Sequence, residues 1–261
     1  MENEPLGELT RLGKRFGTDK VAHGFTKLYD AIFSTQRSTT RRMLEVGVFY
    51  GASIRMWHDY FPAATIHGVD AWRGLQGFES LKLTACKDNE RCRQIHLSKY
   101  GMRGHEDDFH AAWQRGEMSP RIVLHTANQS NATDLEQFAS SLRAAALNDF
   151  DIIIEDGSHI HRDQLRTLGA LFPFVRPGGW YVIEDVHTSL QRGWGERPGS
   201  SHTTLAVMKH FNHSGALRSR WLRQSQQLDL EAWIDAVQVV VTGHPQYDQV
   251  RASLPSTHKP H

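Results

Sequence analysis

The sequence predicts a doubly wound, mostly parallel α/β sheet, and three observations lead there. Short apolar runs alternate with helical patterns along most of the 261 residues, the alternation that strand–helix–strand units produce. Two of the runs, 151–155 and 180–184, are apolar without a period of two, as strands covered on both faces are. Both stop on acids: Asp156 follows the first, and Glu184 and Asp185 close the second. Strand carboxyl ends open into the crevice where α/β sheets bind ligands. Asp156, Glu184 and Asp185 are therefore expected to converge there, with His159 beside them.

The elements follow in order. Residues 1–40 read as a helical N-terminal segment, with Phe16-Gly17-Thr18-Asp19-Lys20 supplying a turn and an N-cap before a helix over 21–33. Residues 42–53 read as strand, tight glycine turn and helix, and Ile54, Trp57 and Phe61 give that helix one apolar face. A second strand over 65–70 ends on Asp70, and a third, 121–125, leads into Asn128-Gln129-Ser130. A helix over 134–147, with Asp134 as cap, precedes the fourth strand, and one over about 161–172 leads through Pro177-Gly178-Gly179 into the fifth. His161 is placed on a surface helix face, and Trp180 and Tyr181 are read as packing residues. A strand is expected at 236–241 and a frayed tail at 253–261. The stretch 71–119 is too long for a simple connection and reads as a helical insertion, a lid over the crevice. Its Cys86 and Cys92 lack the spacing of a zinc site. The whole, 1–261, is read as one domain.

Composition narrows the partners. Thirty basic and 29 acidic side chains nearly cancel, so bulk charge offers no attraction to nucleic acid or to a membrane surface. No apolar run approaches the roughly 20 residues of a membrane span. The acidic N-terminus lacks the apolar core of a signal peptide, and two cysteines make no disulfide framework. A soluble, cytoplasmic protein acting on a small molecule is the expectation.

The first strand ends Glu45-x-Gly47-x-x-x-Gly51. Glycine suits a sharp strand-to-helix turn where backbone meets a ligand, and Asp70 is placed to accept hydrogen bonds from ribose hydroxyls. A dinucleotide loop would need glycines where Phe49 and Ala52 stand, so a nicotinamide oxidoreductase fits poorly and a nucleoside site better.

More of the chain then comes into play. Gly17-Thr18-Asp19-Lys20, His23 and Tyr29, the Leu44–Ser53 stretch, Trp57, Phe61-Pro62, Asp156-Gly157-Ser158-His159, the segment from Leu171 to Asp185, and Thr188-Ser189 together resemble one branch of the Rossmann-like class I S-adenosylmethionine (SAM) methyltransferases. That branch is the metal-dependent macrolide-sugar (mycinamicin-type) O-methyltransferases. The resemblance covers about 12–70 and 120–205, leaving out the insertion and the C-terminus. It implies Asp156, Glu184 and Asp185 as ligands of Mg2+ (or Mn2+), His159 as general base, and Glu45, Gly47, Gly51, Asp70, Asn128 and Gln129 framing SAM. It also implies a sugar-bearing or polyol acceptor from natural-product biosynthesis and a homo-oligomer. Asn128 departs from the branch, which commonly has aspartate there; its carbonyl oxygen can still accept a hydrogen bond.

The chemistry closes on these residue types. A divalent cation lowers the pKa of an oxygen it binds, a histidine takes a proton near neutrality, and oxygen ligands suit Mg2+ or Mn2+ rather than zinc. Two other readings stay open: a catechol-type phenol O-methyltransferase, since vicinal phenols chelate equally well, and a catalytically silent SAM-binding partner protein.

Overall fold

The computed structural model describes residues 6–72, 106–241 and 250–255, the side chains of 106–108, 110, 241 and the last strand apart. Seven strands form one sheet in the order β3-β2-β1-β4-β5-β7-β6. They are β1 (Arg42–Val46), β2 (Thr65–Asp70), β3 (Ile122–Thr126), β4 (Phe150–Glu155), β5 (Val175–Ile183), β6 (Gln238–Val241) and β7 (Val250–Pro255). The first five are mutually parallel, while β7 runs antiparallel to both β5 and β6. Strand order reverses between β1 and β4, the switch point where such sheets open a binding crevice.

Pleating sends successive side chains to opposite faces, and the sheet buries both. Met43, Ile66, Ile152 and Ile154 meet α1 (Glu8–Phe16), α2 (Phe25–Phe33) and α3 (Ala52–Tyr60). Leu44, Val46, Ile153 and Tyr181 meet α5 (Ala132–Ala144), α6 (His161–Leu171), α7 (Thr204–Ser214) and α8 (Gln224–Trp233). The doubly wound expectation is met, and the five apolar runs are the five parallel strands.

Several local expectations change. The helix expected over 21–33 is split: Thr18 caps a short 3-10 turn, and Gly24 in the left-handed region (φ 73) restarts the chain as α2. Asn131 rather than Asp134 caps α5, accepting from Thr133 and Asp134. His161 is not on a surface face; it is fully buried, with Nδ1 3.3 Å from the Thr204 hydroxyl. Residues 253–255, expected in the tail, finish β7. Of the insertion, α4 (Glu106–Gln114) is described. Its Phe109 is buried against Gly51, where a Cβ would come within 2.4 Å of the ring, and Trp113 stacks on Trp72. Cys86 and Cys92 lie outside the described residues.

Behind the site, His67 of β2 and His125 of β3 stack, with His67 Nδ1 3.0 Å from His125 Nε2. Burial, then His125 and Arg42, holds the His67 pKa down at about 4, from 6.5. The unfolded chain thus takes up a proton that the folded one refuses between those values. Stability is complete above pH 6.5 and falls as pH drops towards 4, by up to about 3 kcal/mol. His67→Phe should flatten the pH dependence of thermal melting across that window. An unchanged slope would mean that other groups set it.

Candidate active site

At the carboxyl ends of β1, β2, β3, β4 and β5 lies a cavity of about 480 Å³, within the range of small-ligand sites. The glycine turn forms one wall. Gly47 has φ +92, and a Cβ on it would come within 2.2 Å of the Asp156 carbonyl oxygen, so both conformation and space require glycine. Gly51 (φ +72) begins α3. Asp70 closes the turn: its Oδ2 accepts from the Val48 and Phe49 amides at 2.8 and 3.1 Å, and its Oδ1 accepts from Trp72 at 3.0 Å. A carboxylate has further lone pairs for a ligand. Asn128 and Gln129 line the same wall. Asn128 Oδ1 accepts from the Ser130 amide, and Gln129 Nε2 donates to Glu155 and Ser158.

Glu45 is placed differently. It is buried and does not line the cavity; its carboxylate accepts from Ser53 Oγ (2.6 Å) and Trp57 Nε1 (3.2 Å) and pairs with Lys20 (3.2 Å). The turn pins Gly47 to the cavity while the strand's pleat sends Glu45 inward.

Ladder bonds carry the acids past the strands, with the Asp156 amide donating to Val46 O and the Glu184 amide to Glu155 O, both at 2.9 Å. Asp156, His159 and Asp185 each offer one ligand atom within 4.8 Å of the others. His159 (φ 58) and Asp185 (φ 53) both hold left-handed backbone conformations, costly for side-chain-bearing residues. Thr188 ties them together, its hydroxyl within 2.9 Å of the Asp185 carbonyl and 3.3 Å of the His159 carbonyl. His159 Nε2 stands 3.6 Å from Asp185 Oδ2, close enough for charge attraction but too far for a hydrogen bond. Among the described residues, His159 Nδ1 and Asp185 Oδ1 are buried without hydrogen-bond partners.

Glu184 lines the cavity but does not join this group. Its carboxylate accepts from Tyr29 Oη at 2.5 Å and from Lys20 Nζ at 3.0 Å. Lys20 is the residue that sequence reasoning left without a role. Its ammonium, 1% exposed, pairs with Asp156 at 2.5 Å as well as with Glu184 and Glu45. Burial alone would strip its proton; Asp156, Glu184 and Glu45 instead hold its pKa well above the ordinary value. Burial and the facing Glu184 push Asp156 upward against Lys20. Asp185 goes the other way, since His159, His187 and His23 outweigh its burial and hold its pKa down. The two carboxylates, Asp156 and Asp185, one of them with an orphaned oxygen, fit a hard divalent cation, which is often held by one or two carboxylates, and the imidazole stands beside them.

A family model described as a methyltransferase domain matches residues 44–186. Mycinamicin VI 2''-O-methyltransferase of Micromonospora griseorubida is 30% identical over 214 residues, 77% of this chain and 42% of its own. Demethylmacrocin O-methyltransferase of Streptomyces fradiae is 32% identical over 77% of this chain and 43% of its own. The chain thus spans less than half the length of these curated relatives. Among solved structures, MycE methyltransferase from the mycinamycin pathway, in complex with Mg and SAH, superposes with a TM-score of 0.64 at 26% identity, over 98% of this chain and 56% of that one.

Lys20→Met should lower stability by about 3–5 kcal/mol, the range for breaking a buried ion pair. Adding Glu184→Gln should recover part of that loss, a coupling of at least about 0.5 kcal/mol in a denaturant double-mutant cycle. Strictly additive losses would show that Lys20 does not hold Glu184.

Proposed function

The chain belongs to the methyltransferase-domain family, and from that premise we propose that it is a SAM-dependent O-methyltransferase acting, with Mg2+ (or Mn2+), on a hydroxyl of a sugar-bearing small molecule. The observation that carries this reading is the meeting of Asp156, His159 and Asp185 in the cavity onto which the Gly47–Gly51 turn opens. The relatives' names support the acceptor class: demethylmacrocin and mycinamicin VI are the substrates named for two of them.

When bound, SAM supplies an electrophilic methyl group, and the cation lowers the pKa of a hydroxyl beside it. Gly47, Gly51, Asp70, Asn128 and Gln129 hold the cofactor; Asp156 and Asp185 hold the metal, with Glu184 behind them through Lys20. His159 takes the proton from the acceptor hydroxyl. Its Nδ1 is buried, so Nε2 faces the acceptor, and Asp185 stabilises the imidazolium that forms. Lys20 pulls against the burial and the Glu184 charge that push Asp156 upward, and it fixes the carboxylate's orientation before any ligand arrives, the kind of preorganisation that lowers the cost of reaching the transition state.

The wider setting belongs to the same proposal: one domain over 1–261, the lid expected over 71–119 lying for its larger part (73–105) outside the described residues, a cytoplasmic homo-oligomer in natural-product biosynthesis, and no nucleic-acid or membrane partner. Among the described residues no helix is long and apolar enough to cross a membrane.

Calorimetry on the wild type should show SAM binding with and without a chelator, and Mg2+ binding that disappears in Asp156→Asn and Asp185→Asn. His159→Ala should keep both ligands while turnover on a panel of deoxysugar glycosides drops by about 10²–10⁴. A wild type that never binds SAM would sink the reading. One that binds SAM but no metal would leave the acids structural.

A further inference from the structure

We propose that Trp194 is the wall against which the acceptor's pyranose ring rests, making it a specificity-determining residue of the transfer proposed above, on which this inference depends. The cavity's lining comes from two halves of the sheet: Phe49, Tyr50, Asp70, Asn128 and Gln129 from the ends of β1, β2 and β3, and His159, Asp185, His187, Thr188 and Trp194 from the segments that follow β4 and β5. Trp194 is half-buried and adjoins the base: the indole and the His159 imidazole lie edge to face, 5.9 Å between centroids at 63°.

The position is built. Gly193 (φ +99) and Gly195 (φ +90) flank the tryptophan in conformations that side chains rarely adopt. The His161 amide donates to the Trp194 carbonyl at 3.4 Å, and the indole N–H donates to Gln191 Oε1 at 3.3 Å. Two residues on, Glu196 is tied to Arg220 and accepts from Ser200 Oγ. Two glycines in conformations closed to most other residues thus fix the tryptophan beside the base.

Aromatic rings carry a negative face, and a pyranose presents C–H bonds of slight positive polarity on its ring faces with hydroxyls around its edge. A ring seated against the indole therefore brings its hydroxyl edge to the adjoining imidazole, where Nε2 takes the proton. The indole is the largest such quadrupole among side chains, which suits a saturated, C–H-rich ring.

The test uses wild type, Trp194→Ala and Trp194→Phe, each loaded with SAH and Mg2+, and methyl α-L-rhamnopyranoside as the probe, a choice suggested by the rhamnosyl-tetracenomycin methyltransferase among the relatives. Ligand-observed NMR titration gives the glycoside affinity, and calorimetry of SAM on the same preparations reports an intact fold. Trp194→Ala should weaken glycoside binding about tenfold, equivalent to about 1.4 kcal/mol, while SAM affinity stays within about twofold and Trp194→Phe restores most of the loss. Equal glycoside affinity in wild type and Trp194→Ala overturns the role of Trp194 and leaves the sugar reading standing. A wild type that binds SAM and catechol but no glycoside overturns the acceptor class itself. A wild type that binds no SAM removes the methyltransferase reading on which both rest.

Discussion

One buried ammonium organises this molecule. Lys20 sits among Asp156, Glu184 and Glu45 at 2.5, 3.0 and 3.2 Å, with almost no solvent contact. Taking such charges out of water costs several kcal/mol per ion, and only close, well-bonded partners offset it. The partners here come from the ends of three adjacent parallel strands, β1, β4 and β5. The Tyr29 hydroxyl, donated to Glu184 from α2, completes the set. The N-terminal segment is thereby fixed to the crevice by charge as well as by the aromatic packing of Tyr29 on Phe33 and Trp57. Without a cation at that point, carboxylates from neighbouring strands would face each other in a low-dielectric interior.

The same ammonium divides the acids by task. Glu45 and Glu184 turn towards Lys20, whereas Asp185 turns towards His159, His187 and His23, which outweigh its burial and hold its pKa down. Asp156 stands between, bonded to Lys20 through Oδ2 and grouped with His159 and Asp185 on the cavity side. Strain falls on that side too, in the left-handed backbones of His159 and Asp185. Strain of this kind persists where surrounding structure over-determines it. Thr188 and the Gln164 bond to the Glu184 carbonyl, itself braced by Thr204, are that surrounding structure.

Much of this was legible in the sequence because it depends on local pattern. The five parallel strands are unbroken apolar runs, and Gly47, Asp70, Asp156, His159 and Asp185 sit at strand ends that those runs define. What escaped depends on pairing across the chain. β7 (Val-Arg-Ala-Ser-Leu-Pro) has neither an apolar run nor clean alternation, and only antiparallel pairing between β5 and β6 makes it a strand. His161 follows a cluster of polar residues and reads as exposed, yet Thr204 of α7 and the Trp194 loop cover it. The directions of Glu45 and Glu184 are set by Lys20, far away in sequence, and no spacing rule links them. The Gly17-Thr18-Asp19-Lys20 run carried a family resemblance without disclosing what its lysine touches.

Asn128 shows how a departure from a family pattern is settled by geometry. Read as a ligand contact, exchanging a carboxylate for an amide removes a charge from the cofactor wall. In the fold, Asn128 Oδ1 accepts from the amide of Ser130 two residues on, a local turn that asparagine and aspartate close equally well. That turn aims Gln129 at Glu155 and Ser158, and it sets the Ser130 hydroxyl on Asp163 at the start of α6. Gly157 leaves room for the glutamine, since a Cβ there would fall 1.7 Å from Gln129 Oε1. The wall's shape thus rests on an acceptor oxygen at position 128 rather than on its charge, and the amide preserves that local architecture.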